Sequence, residues 1–282
     1  MFKPLIAFCV VLILSAMLSV GATAEDTAAS KPGNDLWMVV EMLKSHRFVD
    51  LTHAFDGNIP HGPGFQPARR TTLFHYDEGV GTVGSGGLLH EYTHVGQWGT
   101  HVDPPAHFIR GLRYLDQIDV REMVLPLVVI DIHDRVERNP DYCVSMHDIS
   151  AWEADHGQIP TEAFVALRTD WSERWTDAKR FYNQDADGIA HYPGWSREVL
   201  QYLYEERGIT ALGHETPDTD PGIAASRGDY SLETYVLSQN HYQIEMLTNL
   251  DQLPAAGAII IASWPKPREG SGFPARVFAI VP

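Results

Sequence analysis

Residues able to bind a metal or carry a proton concentrate between positions 90 and 107, where the chain reads His-Glu-Tyr-Thr-His-Val-Gly-Gln-Trp-Gly-Thr-His-Val-Asp-Pro-Pro-Ala-His. Four histidines within eighteen residues invite two metal-site readings. His90-Glu91-x-x-His94 spells a helical zinc motif, two imidazoles one turn apart with a Glu to polarise water. That geometry requires a helix, whereas Tyr92, Thr93, Val95, Gly96, Gly99 and Thr100 favour extended or irregular backbone. Thr100 also stands where a third zinc histidine would fall. In His101-Val102-Asp103, by contrast, alternate residues of an extended segment share a face and bring an imidazole and a carboxylate to one point. Gln97 has the same parity, Pro104 and Pro105 stiffen the chain just beyond, and His107 returns as a base that need not be a ligand. The plain alternative is a set of satisfied polar residues around a tight turn. Burying so many ionisable groups without a metal or a catalytic task would cost several kcal/mol in desolvation.

These side chains need strands to hold them. Phe48–Thr52, Leu125–His133, Ala163–Arg168, Ile209–Gly213, Gly257–Ser263 and Ala275–Val281 are short β-type runs bounded by turn residues. Leu36–Lys44 has helical spacing. A second helix is signalled by Ser196 as N-cap, by Val199, Leu200, Leu203 and Tyr204 on one face, and by Gly208 as the stop. Mixed strands and helices without an internal repeat indicate an α/β class in one domain over 35–282. Gly79-Val80-Gly81-Thr82-Val83-Gly84 matches a dinucleotide-loop spelling, but without a clear flanking strand and helix it reads as a flexible loop.

The segment Gln97-Trp98-Gly99-Thr100-His101-Val102-Asp103-Pro104-Pro105-Ala106-His107-Phe108 resembles the signature of the cyclase-like metal-dependent hydrolases, the family of bacterial kynurenine formamidase and isatin hydrolase. Val49–His53 resembles the family's opening strand and Leu167–Trp171 its central one; Glu245–Asp251 and Gly272–Phe278 resemble its closing segments. The resemblance implies a swivelling β/β/α fold, a homodimer or homotetramer, and a divalent ion held by His101, Asp103 and Glu245, with Gln97 as a fourth ligand. It also implies water activation by that ion, with His107 as the proton shuttle. The chain departs from the family at two ligand positions, with Gln97 in place of a histidine and Glu233 in place of another, twelve residues before Glu245. Oxygen donors there shift the preference from zinc toward manganese or magnesium, although the geometry could still hold zinc. Glu233 reads equally well as a ligand or as a surface helix carboxylate.

His214 and Glu215 follow a strand, where they could orient ligands or belong to an ordinary Asp-rich turn. Trp98, Phe108 and Trp171, with Trp175, are candidate walls for a flat substrate. The reaction expected is hydrolysis of a C–N bond in a linear or cyclic amide, such as an arylformamide or an isatin-like ring. The rivals are a lactone or ester hydrolase, a non-catalytic small-molecule binder, and a zinc protease using His90 and His94.

The chain has 21 Lys and Arg against 37 Asp and Glu, a net charge of −16 that argues against a nucleic-acid partner. Met1–Ala24 carries Lys3, an apolar run and Ala22-Thr23-Ala24, the pattern of a cleaved export signal, so a periplasmic or secreted protein without a membrane partner is expected. An uncleaved anchor is the rival, although the run is short of the ~20 residues a spanning helix needs. A polar, disordered 25–34 segment follows. Cys143 is then the one remaining cysteine and reads as a small core residue, not a nucleophile.

Overall fold

The computed structural model describes residues 35–62, 64–76, 87–175 and 177–282. The stretch read above as an export signal, the polar segment after it and the glycine-rich 79–84 stretch lie outside the described residues. Two compact units are present: Met1–Met42, described from residue 35, and Leu43–Pro282. The helix α1 (Leu36–Lys44) begins in the first. Among the described residues no helix is long and apolar enough to cross a membrane.

The second unit holds, in chain order, β1 (Arg47–Asp50), β2 (Arg69–Phe74), β3 (Leu89–Thr93), β4 (His101–Asp103), β5 (Val124–Asp131), α2 (His133–Arg138), α3 (Met146–His156), β6 (Phe164–Arg168), α4 (Ala178–Tyr182), α5 (Arg197–Gln201), β7 (Ala211–His214), α6 (Gly222–Ala225), α7 (Ser231–Ser238), β8 (Tyr242–Glu245), β9 (Ala258–Ser263), β10 (Phe273–Pro274) and β11 (Arg276–Val281). Nine strands form one mixed sheet in the order β1-β11-β9-β5-β6-β7-β8-β4-β10, and β2 with β3 forms a separate hairpin. β5 to β8 run parallel; the other neighbours pair antiparallel.

Central parallel strands are covered on both faces, which explains the nearly unbroken apolar spelling of β5 and β6. Successive side chains divide between two cores. Val128, Ile130, Val165, Leu167 and Leu212 pack with Ile149 and Trp152 of α3, Val199 of α5 and Val236 and Leu237 of α7. Leu127, Val129, Phe164 and Ala166 pack in the other core with Val49 of β1 and Val102 of β4. Strands from opposite ends of the sheet thus meet in one cluster, so the sheet is curled. The six expected strands are present with shifted ends, the first expected helix has the bounds Leu36–Lys44, and the second is present from Arg197. Ser196 precedes α5 but makes no side-chain cap, and the helix continues through a π-helical turn, Tyr202–Glu206, before Gly208.

Gly213 is required where β7 lies between β6 and β8. A Cβ there would meet the Phe164 ring at 2.7 Å, Leu247 at 2.8 Å and the Ile244 carbonyl at 2.9 Å. Its absence lets β8 close against β7 and brings Glu245 beside His214.

Candidate metal centre

Two short strands build the floor of the site. β4 and β8 pair antiparallel with His101 opposite Glu245 and Asp103 opposite Gln243. Cross-strand neighbours share a face, so the four polar side chains gather on one side of this ribbon while Val102 and Ile244 enter the core. Met246, immediately after Glu245, adopts φ 56°, a left-handed conformation that costs a non-glycine residue about 1–3 kcal/mol. The Thr100 hydroxyl donates to its carbonyl at 2.6 Å and its N–H donates to the Thr216 carbonyl at 3.3 Å, fixing the bend that ends β8.

His101 Nδ1 donates to the Gly99 carbonyl at 2.7 Å. In the neutral ring, the form a metal binds, Nε2 then carries the lone pair, and it lies buried without a hydrogen-bond partner, 3.4 Å from Asp103 Oδ2 and 3.5 Å from Glu245 Oε2. An imidazole anchored through one nitrogen with the other left bare among carboxylates has the arrangement of a metal ligand. His101, Asp103 and Glu245 form one group able to hold a metal ion, and Asp103, His107 and Glu233 form another, with Asp103 common to both. The nitrogen and carboxylate oxygens of the first group fit a divalent cation.

Electrostatics point the same way. Burial opposes an imidazolium at His101, yet the charge and hydrogen bond of Asp103 outweigh it and raise its pKa. Asp103 is held well below the usual carboxylate range, the charge of His101 overcoming burial. Burial, reinforced by the negative charge of Asp103, pushes Glu233 and Glu245 well above that range. Asp218, buried beside the same charges, is pushed up to about 7. Crowded carboxylates that resist ionisation are relieved by a bound cation.

The surrounding residues hold these groups in place. Trp195 Nε1, which can only donate, reaches His214 Nδ1 at 3.2 Å. The His214 proton is therefore on Nε2, 3.5 Å from Glu245 Oε1, and burial lowers the pKa to about 3, keeping the ring neutral. Gln243 accepts from the Thr219 hydroxyl at 2.6 Å, while its amide nitrogen faces Glu245 at 3.0 Å, Glu233 at 3.2 Å and Asp103 at 3.4 Å. Asp220 accepts from the N–H groups of Leu232 and Glu233, both at 2.9 Å, and so caps α7 and aims Glu233 inward. Glu233 is thus a buried site residue, not a surface carboxylate.

His107 lies just beyond β4, partly open, with Nε2 3.9 Å from Asp103 and 4.0 Å from Glu233. It faces a cavity of about 430 Å³ whose floor is His101, Asp103 and Glu245. Phe65, Phe108, Tyr182, Tyr192 and Tyr230 supply its aromatic walls, and none of the described lining residues is Lys or Arg.

Several expectations change. Gln97 turns its amide nitrogen to Asp103 Oδ1 at 3.0 Å and to the Ser271 carbonyl at 2.8 Å, so it orients Asp103 through hydrogen bonds. Gly272 makes room for it, since a Cβ there would lie 1.9 Å from that nitrogen. Trp98 and Trp171 are core residues rather than cavity walls; their indole nitrogens donate to the carbonyls of Asp56 at 3.1 Å and Phe181 at 2.8 Å. Phe108 does line the cavity. Glu215 does not orient a ligand: it accepts from Thr169 N at 2.6 Å, Thr169 Oγ1 at 2.9 Å and Ser172 Oγ at 2.7 Å, tying down the loop after β6, and burial lifts its pKa to about 7. Cys143 is half-buried, and burial raises its thiol pKa, away from nucleophilic use. The zinc-protease reading fails because His90 lies on β3, which runs extended to Thr93; four residue steps of extended chain span roughly 13 Å, instead of one helical turn. Gln243, Asp218 and Asp220 are site residues that the sequence motifs do not single out.

A curled mixed sheet presenting a buried imidazole and carboxylates at the base of an aromatic cavity defines a metal-binding α/β protein of enzyme type. The Cyclase family model matches residues 49–221, and the chain belongs to that family. It is 36% identical over 189 residues to isatin hydrolase of Roseibium aggregatum, covering 65% of this chain and 71% of that one. The solved isatin hydrolase A of Ralstonia solanacearum superposes with a TM-score of 0.81 at 36% identity, covering 90% of this chain and all of that one (100%). Kynurenine formamidase of Bacillus anthracis is 23% identical over 179 residues, covering 64% of this chain and 73% of that one.

Proposed function

We propose that this protein is a metal-dependent hydrolase that opens the C–N bond of a neutral cyclic aromatic amide of the isatin type. The observation that carries the reading is the bare, buried Nε2 of His101 between Asp103 and Glu245 at the base of the cavity. His101, Asp103 and Glu245 would hold the ion. When bound, a divalent cation supplies polarisation of the amide carbonyl and water acidified enough to give hydroxide near neutral pH.

The chain's own residues do the rest. Gln97, Gln243 and His214 keep the carboxylates aimed at the site. His107, open to the cavity and flanked by Asp103 and Glu233, takes the proton of the attacking water and returns it to the departing nitrogen. The ring opens as that C–N bond breaks, leaving a carboxylate and an amine. Phe65, Phe108 and Tyr230 provide flat apolar walls for a fused ring.

The cavity lining carries Asp103, Asp218, Glu233 and Glu245 with no Lys or Arg among its described residues, so a substrate carboxylate finds no cation to pair with there, and isatin carries none. Protein loaded with manganese and assayed on isatin, N-formylkynurenine and an aromatic lactone should turn over isatin with the highest kcat/KM. A lactone preference would contradict the choice of bond, and inertness toward all three with metal bound would favour a binding protein on the same scaffold.

A further inference from the structure

Asp218 lies in the turn after β7 and lines the same cavity as His101, Asp103 and Glu245, but it belongs to neither metal-holding group. Its carboxylate is engaged from one side. Tyr192, almost fully buried, donates its hydroxyl to Oδ2 at 2.5 Å. The Asp218 backbone carbonyl accepts from the Thr216 hydroxyl at 3.0 Å, which fixes the turn. No donor reaches Oδ1 among the described residues, and the exposure that Asp218 retains is to the cavity. The protein therefore holds a rigid hydrogen-bond acceptor toward whatever occupies this space, unlike Gln243, whose oxygen accepts from Thr219 and whose nitrogen faces the site carboxylates.

We infer that Asp218 Oδ1 accepts the ring N–H of the substrate and makes the enzyme selective for cyclic amides with an unsubstituted nitrogen over N-alkylated amides and lactones. This rests on the cyclic-amide reading above. A cyclic aromatic dione offers two adjacent carbonyls, of which one is an amide. A residue that grips the N–H settles which carbonyl lies over the floor of the site. A lactone offers no donor, and an N-methyl group would press against a fixed carboxylate while leaving it desolvated and unpaired, the kind of loss by which polar sites reject analogues.

The test uses manganese-loaded protein with isatin and N-methylisatin, measuring affinity by titration calorimetry and turnover in parallel. Wild type should favour isatin by about 10- to 100-fold in both, the range set by leaving a desolvated acceptor unpaired. In Asp218→Asn the amide oxygen takes the Tyr192 hydroxyl and an NH2 faces the cavity, so the preference should collapse toward parity, chiefly through KM. If that variant does not fold, Tyr192→Phe, which keeps the ring in the core and frees the carboxylate, should narrow the preference. Equal affinity and turnover of the two compounds by wild type, or a wild-type preference retained in Asp218→Asn, overturns the assignment and leaves the hydrolase reading intact. Selective binding of isatin without turnover would support the Asp218 assignment while overturning the hydrolase reading.

Discussion

Two histidine-bearing stretches separated by a few residues meet opposite fates. His90 and Glu91 lie on β3 of a two-stranded hairpin whose residues are mostly exposed. His94, just past it, points Nδ1 at the carbonyl of Val95 at 2.8 Å and packs edge-on against Phe55 and Phe273. His101 and Asp103 lie on β4, fully buried, with Glu245 and Gln243 opposite them on a strand 140 residues away in sequence. Residue type is nearly the same in both places. What distinguishes them is a second strand that presents more polar groups to the same face and a core that removes water from them.

Single substitutions should separate the two stretches most sharply. His101→Ala should lose the bound metal and all measurable activity, whereas His90→Ala should retain both; elemental analysis of the purified variants reads the difference. Next in size is His107→Ala. It should keep its metal and lose kcat by about 100- to 10,000-fold, the usual contribution of a positioned acid–base group, as single-turnover kinetics would report.

Smaller effects should come from residues that touch the floor without ligating. His214→Ala and Gln243→Ala each free a buried carboxylate from its orienting partner and should weaken metal affinity by about 10- to 100-fold. Gly272→Ala should act in the same direction, because its Cβ would displace the Gln97 amide that holds Asp103. Competition with a chelating dye measures all three. A wild-type affinity in each would mean that the floor is self-organised by β4 and β8 alone.

The smallest expected effect concerns acid stability. His53 stacks on Trp175 at 4.0 Å, and burial lowers its pKa to about 4. An unfolded histidine titrates near 6.5, so between about pH 6.5 and 4 the unfolded chain binds more protons at this residue. Its contribution to stability is then full above pH 6.5 and lost as pH falls through the folded value. His53→Gln should flatten the fall in denaturation midpoint across this window; an unchanged slope would assign the acid sensitivity to other groups.

Much of the floor is legible in the linear chain because it depends on strand parity. His101 and Asp103 declare themselves two residues apart beside paired prolines, and Glu245 follows by resemblance. The same parity places Gln243 beside Glu245, but a neutral amide in a short strand carries no chemical signature of its own. Asp218 and Asp220 sit in a stretch whose composition spells a solvated turn; Asp220 is buried under α7 and Asp218 is half-buried on the cavity because β7 is interior to the sheet, facts of tertiary order that local sequence does not contain. The same limit explains Trp98 and Trp171. Their place in the chain, next to site segments, suggests cavity walls, whereas their indole rings turn into the core to reach carbonyl partners on Asp56 and Phe181.

The measurement that bears most directly on this account is anomalous diffraction at the manganese edge from crystals of the protein grown with manganese. The account predicts a peak within bonding distance of His101 Nε2 and of carboxylate oxygens from Asp103 and Glu245. A peak beside His90 and His94, or none at the β4–β8 floor, would contradict it.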